Sequence, residues 1–101
     1  MASSNKTRVM LVDDHDMVRR GLSVFLRAFA EFELIGEATD GLEAVALCDV
    51  LLPDIVLMDI YMPQMDGVSA TQHIKQRHPH IRVIALTSLK DDQMVTRMLN
   101  A

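Results

Sequence analysis

Ile55–Gly67 reads IVLMDIYMPQMDG. Ile55–Asp59 is an apolar run that ends in a carboxylate. The Ile-Val-Leu-Met composition predicts a strand buried on both faces, the usual state of a parallel strand. Asp59 then surfaces at the carboxyl end of that strand. Pro63 and the Asp66-Gly67 pair interrupt regular structure soon after. A carboxylate at the tip of a buried strand is costly to place. It serves as a helix cap, a metal ligand or a nucleophile.

Working outward, Thr7–Val12 (TRVMLV) predicts a first strand, followed by the acidic turn Asp13-Asp14-His15-Asp16. Asp16 is a candidate N-cap. Val18, Leu22, Phe25, Leu26 and Phe29 then recur at helical spacing and are expected to face the core. Arg19, Arg20 and Arg27 fall on the solvated face. Glu33–Ala38 reads as a second strand. Asp40-Gly41 opens a second helix, with Leu42, Val45, Ala46 and Val50 inward, and Pro53-Asp54 ends it. After the buried strand, a third helix runs from near Gly67, with Asp66 as its cap and Val68, Thr71 and Ile74 inward, to Pro79. Arg82–Thr87 (RVIALT) predicts a fourth strand, and Lys90–Ala101 a fourth helix around Met94, Val95, Met98 and Leu99. Strands alternating with helices imply a parallel sheet covered on both sides.

Bulk properties limit the function. At 101 residues, half of them apolar, the chain is expected to be one domain over 7–101, behind a polar tail at 1–6. A formal charge of −4 with scattered Lys and Arg argues against direct nucleic-acid binding. No apolar run is long enough to cross a membrane, and no apolar signal region follows Met1–Lys6, so a cytoplasmic location is expected. The single cysteine, Cys48, fits a reducing compartment and reads as helix packing. Met58, Met62 and Met65 read as core and loop packing.

Polar groups cluster at three predicted strand ends: Asp13-Asp14, Asp59 and Thr87-Ser88. In an open parallel sheet all carboxyl ends share one edge, where ligands bind. Asp13 and Asp14, taken as a pair, have two readings, as turn and cap residues or as part of a carboxylate cluster. With the first strand beside the third, they meet Asp59. Three carboxylates in one pocket repel, and a divalent cation relieves the conflict. An all-oxygen donor set suits Mg2+. Beside such an ion Asp59 can act as a nucleophile toward a phosphoryl group, forming an acyl phosphate, with Thr87 donating to its oxygens. His15 and Met17 border this turn and are in reach of the site; they are read as solvent-facing or as lying just behind its ligands. His73, His78 and His80 are read as surface residues.

With Val12-Asp-Asp-His15 after the first strand, Asp59-Ile-Tyr-Met-Pro-Gln-Met-Asp-Gly67, and Ile84-Ala-Leu-Thr-Ser88, the sequence resembles the receiver domain of two-component response regulators. The wording is similar to the LuxR/NarL-type subgroup, and the match runs from about Arg8 onward. The resemblance implies a flavodoxin-like (CheY-like) doubly wound α/β fold with strand order 2-1-3-4-5. It implies Asp59 as phosphoacceptor and Mg2+ held by the Asp14 and Asp59 side chains and the Tyr61 backbone carbonyl. Asp13 assists through a water, and Thr87 moves toward the phosphoryl group. The implied donor is a sensor histidine kinase or a small phosphodonor, and the first helix belongs to the kinase-docking surface. Such a domain phosphorylates itself and is not a turnover enzyme. It would reach DNA only through an output domain outside these residues.

The resemblance covers four βα units. The family's fifth strand, its lysine and its fifth helix are missing from these residues, and Lys90 lies one element too early to replace that lysine. Impaired phosphorylation is therefore expected. The fourth strand is expected to be an open apolar edge, favouring a homodimer or exchange of elements between copies. The competing function is a non-phosphorylated docking or dimerisation module. An aspartate-nucleophile phosphatase is disfavoured because Tyr61 stands where its second carboxylate would be. A dinucleotide-binding domain is disfavoured because no Gly-x-Gly-x-x-Gly follows the first strand.

Overall fold

The computed structural model describes residues 6–59, 65–86 and 100. In chain order they form β1 (Thr7–Val12), α1 (Asp16–Arg27), β2 (Phe32–Ala38), α2 (Gly41–Leu51), β3 (Ile55–Asp59), α3 (Gly67–Arg77) and β4 (Arg82–Leu86). The four strands make one parallel sheet in the order β2-β1-β3-β4. This is the predicted doubly wound, flavodoxin-like arrangement. The predicted helix over Lys90–Ala101 lies, but for Asn100, outside the described residues, as do Tyr61, Met62 and Thr87.

Strand alternation divides the core into two layers. Met10, Val12, Val56 and Met58 point to one face, where Ala44 and Cys48 of α2 and Ala70 and Ile74 of α3 cover them. Val9 and Leu11 point to the other, toward Leu22 and Leu26 of α1, with Leu34, Ile55 and Leu57 alongside. Cys48 is buried, as expected from its helix.

Helix starts follow local chemistry. Asp40 caps α2 by accepting from the Glu43 N–H at 2.8 Å, and the Glu43 side chain reaches back to accept from the N–H of Thr39, the residue before the cap, at 2.7 Å. Asp66 caps α3 through the Ser69 N–H, as predicted. At α1 the expectation is corrected: Asp16 is the first helical residue and His15 is the N-cap, with no side-chain capping bond. The His15 side chain is engaged elsewhere.

Two helix faces also differ from expectation. On α1, Leu22 and Leu26 take the sheet, while Val18 and Phe25, and Phe29 just past its end, are exposed, Phe25 by 59%. Five apolar residues spread over more of the helix than one sheet contact can cover. On α2, Leu42, Ala46 and Val50 face outward and Gly41, Ala44 and Cys48 face inward. That helix is apolar nearly all round, so periodicity does not choose its face. Small residues at 41, 44 and 48 let the helix approach its neighbours closely.

The α2–β3 connection is fastened from β1. Arg8 donates to the Leu51 and Leu52 carbonyls at 2.7 and 2.8 Å, satisfying acceptors that a helix end leaves free. Asp54 accepts from the Arg8 N–H at 2.8 Å. Leu52 itself has φ 49°, the left-handed conformation of a helix C-cap.

Candidate functional site

The register of the central strands builds the site. Val12 is paired with Met58 across β1 and β3, so the next residues, Asp13 and Asp59, emerge side by side at the carboxyl edge. The Asp13 N–H continues the ladder to the Ala38 carbonyl at 3.1 Å. Asp13 and Asp59 are both buried. Asp14 is partly exposed, but its Oδ1 is buried and makes no hydrogen bond among the described residues.

His15 leans over this group. Its backbone N–H donates to Asp13 Oδ1 at 2.7 Å, an Asx turn that folds the chain back toward the pocket. Its Nδ1 lies 2.8 Å from Asp13 Oδ1, 3.1 Å from Asp14 Oδ1 and 3.7 Å from Asp59 Oδ2. The hydrogen bond to Asp13 raises the imidazole pKa above 6.5, and the charges of Asp14 and Asp13 add to it. His15 fits both parts of its expectation: its ring is 63% exposed, and its nitrogen lies within 3.7 Å of all three carboxylates.

Asp13, Asp14, His15 and Asp59 each offer one ligand atom, all within 4.8 Å of one another. A buried oxygen that makes no hydrogen bond and faces the His15 nitrogen, beside two further carboxylates, is a donor set that fits a divalent cation. Thr87 and the Tyr61 carbonyl, predicted to join them, lie outside the described residues.

Two further residues escaped the sequence reading. Arg19, expected on a solvated face, donates to the Asp13 carbonyl at 3.0 Å and pairs with Asp16 at 2.9 Å and Glu37 at 3.0 Å. It ties the turn after β1 to the end of β2. His78, expected at the surface, pairs through Nε2 with Asp49 at 2.8 Å, and Arg77 joins the same carboxylate, linking α2 to α3. Asp16 stands at i−3 on the same helix, but Glu37 and Asp49 are far from their partners in sequence, and no local signal marks those pairs.

Comparison with known proteins places this geometry. Residues 9–101 match the response regulator receiver domain family. The response regulator protein VraR of Staphylococcus aureus is 47% identical over 94 residues, covering 93% of this chain and 45% of VraR. The chain thus spans about half the length of the curated relatives it matches. The response regulator domain of Thermotoga maritima CheB superposes with a TM-score of 0.87 at 34% identity, over 94% of this chain and 72% of that one. A LuxR-family two-component response regulator from Aurantimonas sp. SI85-9A1 gives 0.88 at 33% identity, over 94% and 68%. Among the described residues, no helix is long and apolar enough to cross a membrane.

Proposed function

The chain belongs to the response regulator receiver domain family, and on that premise we propose that it is a signalling switch that accepts a phosphoryl group on Asp59. The observation that carries this reading is the meeting of Asp13, Asp14 and Asp59 at the tips of β1 and β3. An Asp59 carboxylate oxygen attacks the phosphorus of a phosphohistidine on a sensor kinase, or of a small acyl phosphate. The P–N or P–O bond to the donor breaks, the donor leaves with that electron pair, and an acyl phosphate remains on Asp59. Asp14 and Asp59 would hold Mg2+ by side chain, Tyr61 by its carbonyl and Asp13 through a water. When bound, the ion neutralises the phosphoryl oxygens and keeps the transfer in line. Thr87 donates its hydroxyl to the transferred group.

In this reading 7–101 is the receiver unit, 1–6 is a tail, and the domain works in the cytoplasm opposite a histidine kinase. The phosphorylation state would be read out by a DNA-binding domain of a longer chain. The test is intact mass after incubation with Mg2+ and a small acyl phosphate, for this chain and for Asp59→Asn. A single phosphoryl adduct on the first chain alone is the expected result. An adduct on both, or on neither, overturns the assignment of Asp59 as acceptor in this chain.

One observation favours the docking reading as well. Strand β4 is the edge of the described sheet, and Ile84 on it is 47% exposed. Self-association through this edge predicts a concentration-dependent sedimentation coefficient. A monomer at all concentrations removes it.

A further inference from the structure

The carboxylate pocket of this chain contains a nitrogen donor. On the reading that the pocket holds a divalent cation, we propose that His15 ligates the ion through Nδ1 and so makes the site favour a first-row transition cation, of which Mn2+ is the probe, over Mg2+.

Ligand atoms about 2.1 Å from one ion lie roughly 3.0 Å apart when adjacent in an octahedron and about 3.4 Å apart in a tetrahedron. His15 Nδ1 stands 2.8, 3.1 and 3.7 Å from oxygens of Asp13, Asp14 and Asp59. The Asp14 separation matches adjacent ligands of one ion and the Asp59 separation is a few tenths of an ångström longer, while Asp13 at 2.8 Å is close enough to hold the ring in place as a hydrogen-bond partner. The backbone then fixes the donor: residue 15 is the N-cap of α1, and its N–H is bound to Asp13 Oδ1 at 2.7 Å. The ring therefore starts beside the pocket and needs no rearrangement of the chain to reach it. Finally, one of the facing oxygens, Asp14 Oδ1, is buried without a hydrogen bond, so the imidazole alone does not satisfy the cluster.

Ligand chemistry sets the selectivity. Mg2+ is a hard cation that prefers oxygen and keeps several waters, so an imidazole adds little to its binding. Affinity for nitrogen-containing sites rises along the first transition row, and imidazole is a common ligand there. A His15 ligand thus separates two ions that an all-carboxylate pocket treats more alike.

Pulsed electron paramagnetic resonance of the Mn2+-loaded chain tests this at about pH 8, with calorimetric titration of Mn2+ and of Mg2+ alongside. The variants are His15→Asn and, as a control for adventitious binding at the Asp49 cluster, His78→Asn. The expected result is a nitrogen coupling to Mn2+ in the parent and in His78→Asn that disappears in His15→Asn. Mn2+ affinity should fall about tenfold or more in that variant, while Mg2+ affinity stays within about twofold. A parent that binds both ions without nitrogen coupling overturns the His15 assignment and leaves the receiver reading intact. Equal losses for Mg2+ and Mn2+ also overturn it, because His15 would then only position the carboxylates. A parent that binds neither ion overturns the cation reading of the pocket together with this inference.

Discussion

The Met65 carbonyl oxygen lies against Gly41, in the space a side chain at residue 41 would fill, and the Met65 Cβ would be 2.8 Å from that side chain's first atom. The contact joins the first turn of α2 to the residue preceding the Asp66 cap of α3. Backbone cannot move aside as a flexible side chain can. Gly41→Ala is therefore expected to cost about 3 kcal/mol in urea unfolding. Gly36→Ala is the comparison: its new Cβ would meet the tip of Leu51 at 2.7 Å, which can rotate. That variant should stay within about 1 kcal/mol of the parent.

Leu26 and Phe25 are neighbours on α1 with opposite environments. Leu26 is buried against Val9 and Leu11, and Leu26→Ala should cost about 2–4 kcal/mol. Phe25 is exposed and keeps an edge-to-face contact with Phe29 at 5.0 Å between ring centres. Phe25→Ala should cost only about 1 kcal/mol. Equal losses in denaturant midpoint would show that the outer face of α1 is covered after all.

Leu52 holds a left-handed backbone that its Cβ disfavours. Its side chain is exposed, so little packing is at stake. Leu52→Gly is expected to raise stability by about 1 kcal/mol, and Leu52→Val to lower it by a similar amount. Thermal unfolding of the two variants checks the sign of each.

Asp49 couples α2 to α3 through His78 and Arg77. The hydrogen bond from His78 holds its carboxyl below the ordinary 3.8, with help from the Arg77 charge. A depressed carboxylate pKa contributes stability above the unfolded-state value, and the contribution is lost as pH falls through the folded value. Asp49→Asn should therefore lower the urea midpoint at about pH 6, and the two curves should begin to approach near 3.8 and converge as the pH falls through the depressed folded value. Curves that stay separated at low pH would assign the effect to packing.

Burial pushes the Cys48 thiol up to about 11, with the Asp49 charge adding to it. Nucleophilic reactivity needs the thiolate. A disulfide reagent at about pH 8 should label the native chain very slowly and the urea-unfolded chain within minutes. Rapid native labelling would reveal an opening of α2 from the sheet.

Much of the architecture was written locally. The runs TRVMLV and IVLMD are strands because β-branched and long apolar residues fill both faces of a parallel sheet, and RVIAL extends it as the half-exposed edge of the described residues. Asp40 and Asp66 are caps because a short carboxylate satisfies the free N–H groups of a helix start. Alternation of strands and helices sends Asp13, Asp14 and Asp59 to one edge, so the acidic cluster was legible before any coordinates. Tertiary structure alone decided the rest. Which face of α2 turned inward depended on how closely its small residues approach their neighbours, since an all-apolar helix has no preferred side. The outer face of α1 remained exposed because one sheet contact admits only Leu22 and Leu26. His15 over the carboxylates, Arg19 between β1 and β2, and His78 on Asp49 all depend on strand register and helix packing. Periodicity records which residues tend to be buried, whereas the meeting of charged groups is set by distances between elements that no local pattern encodes.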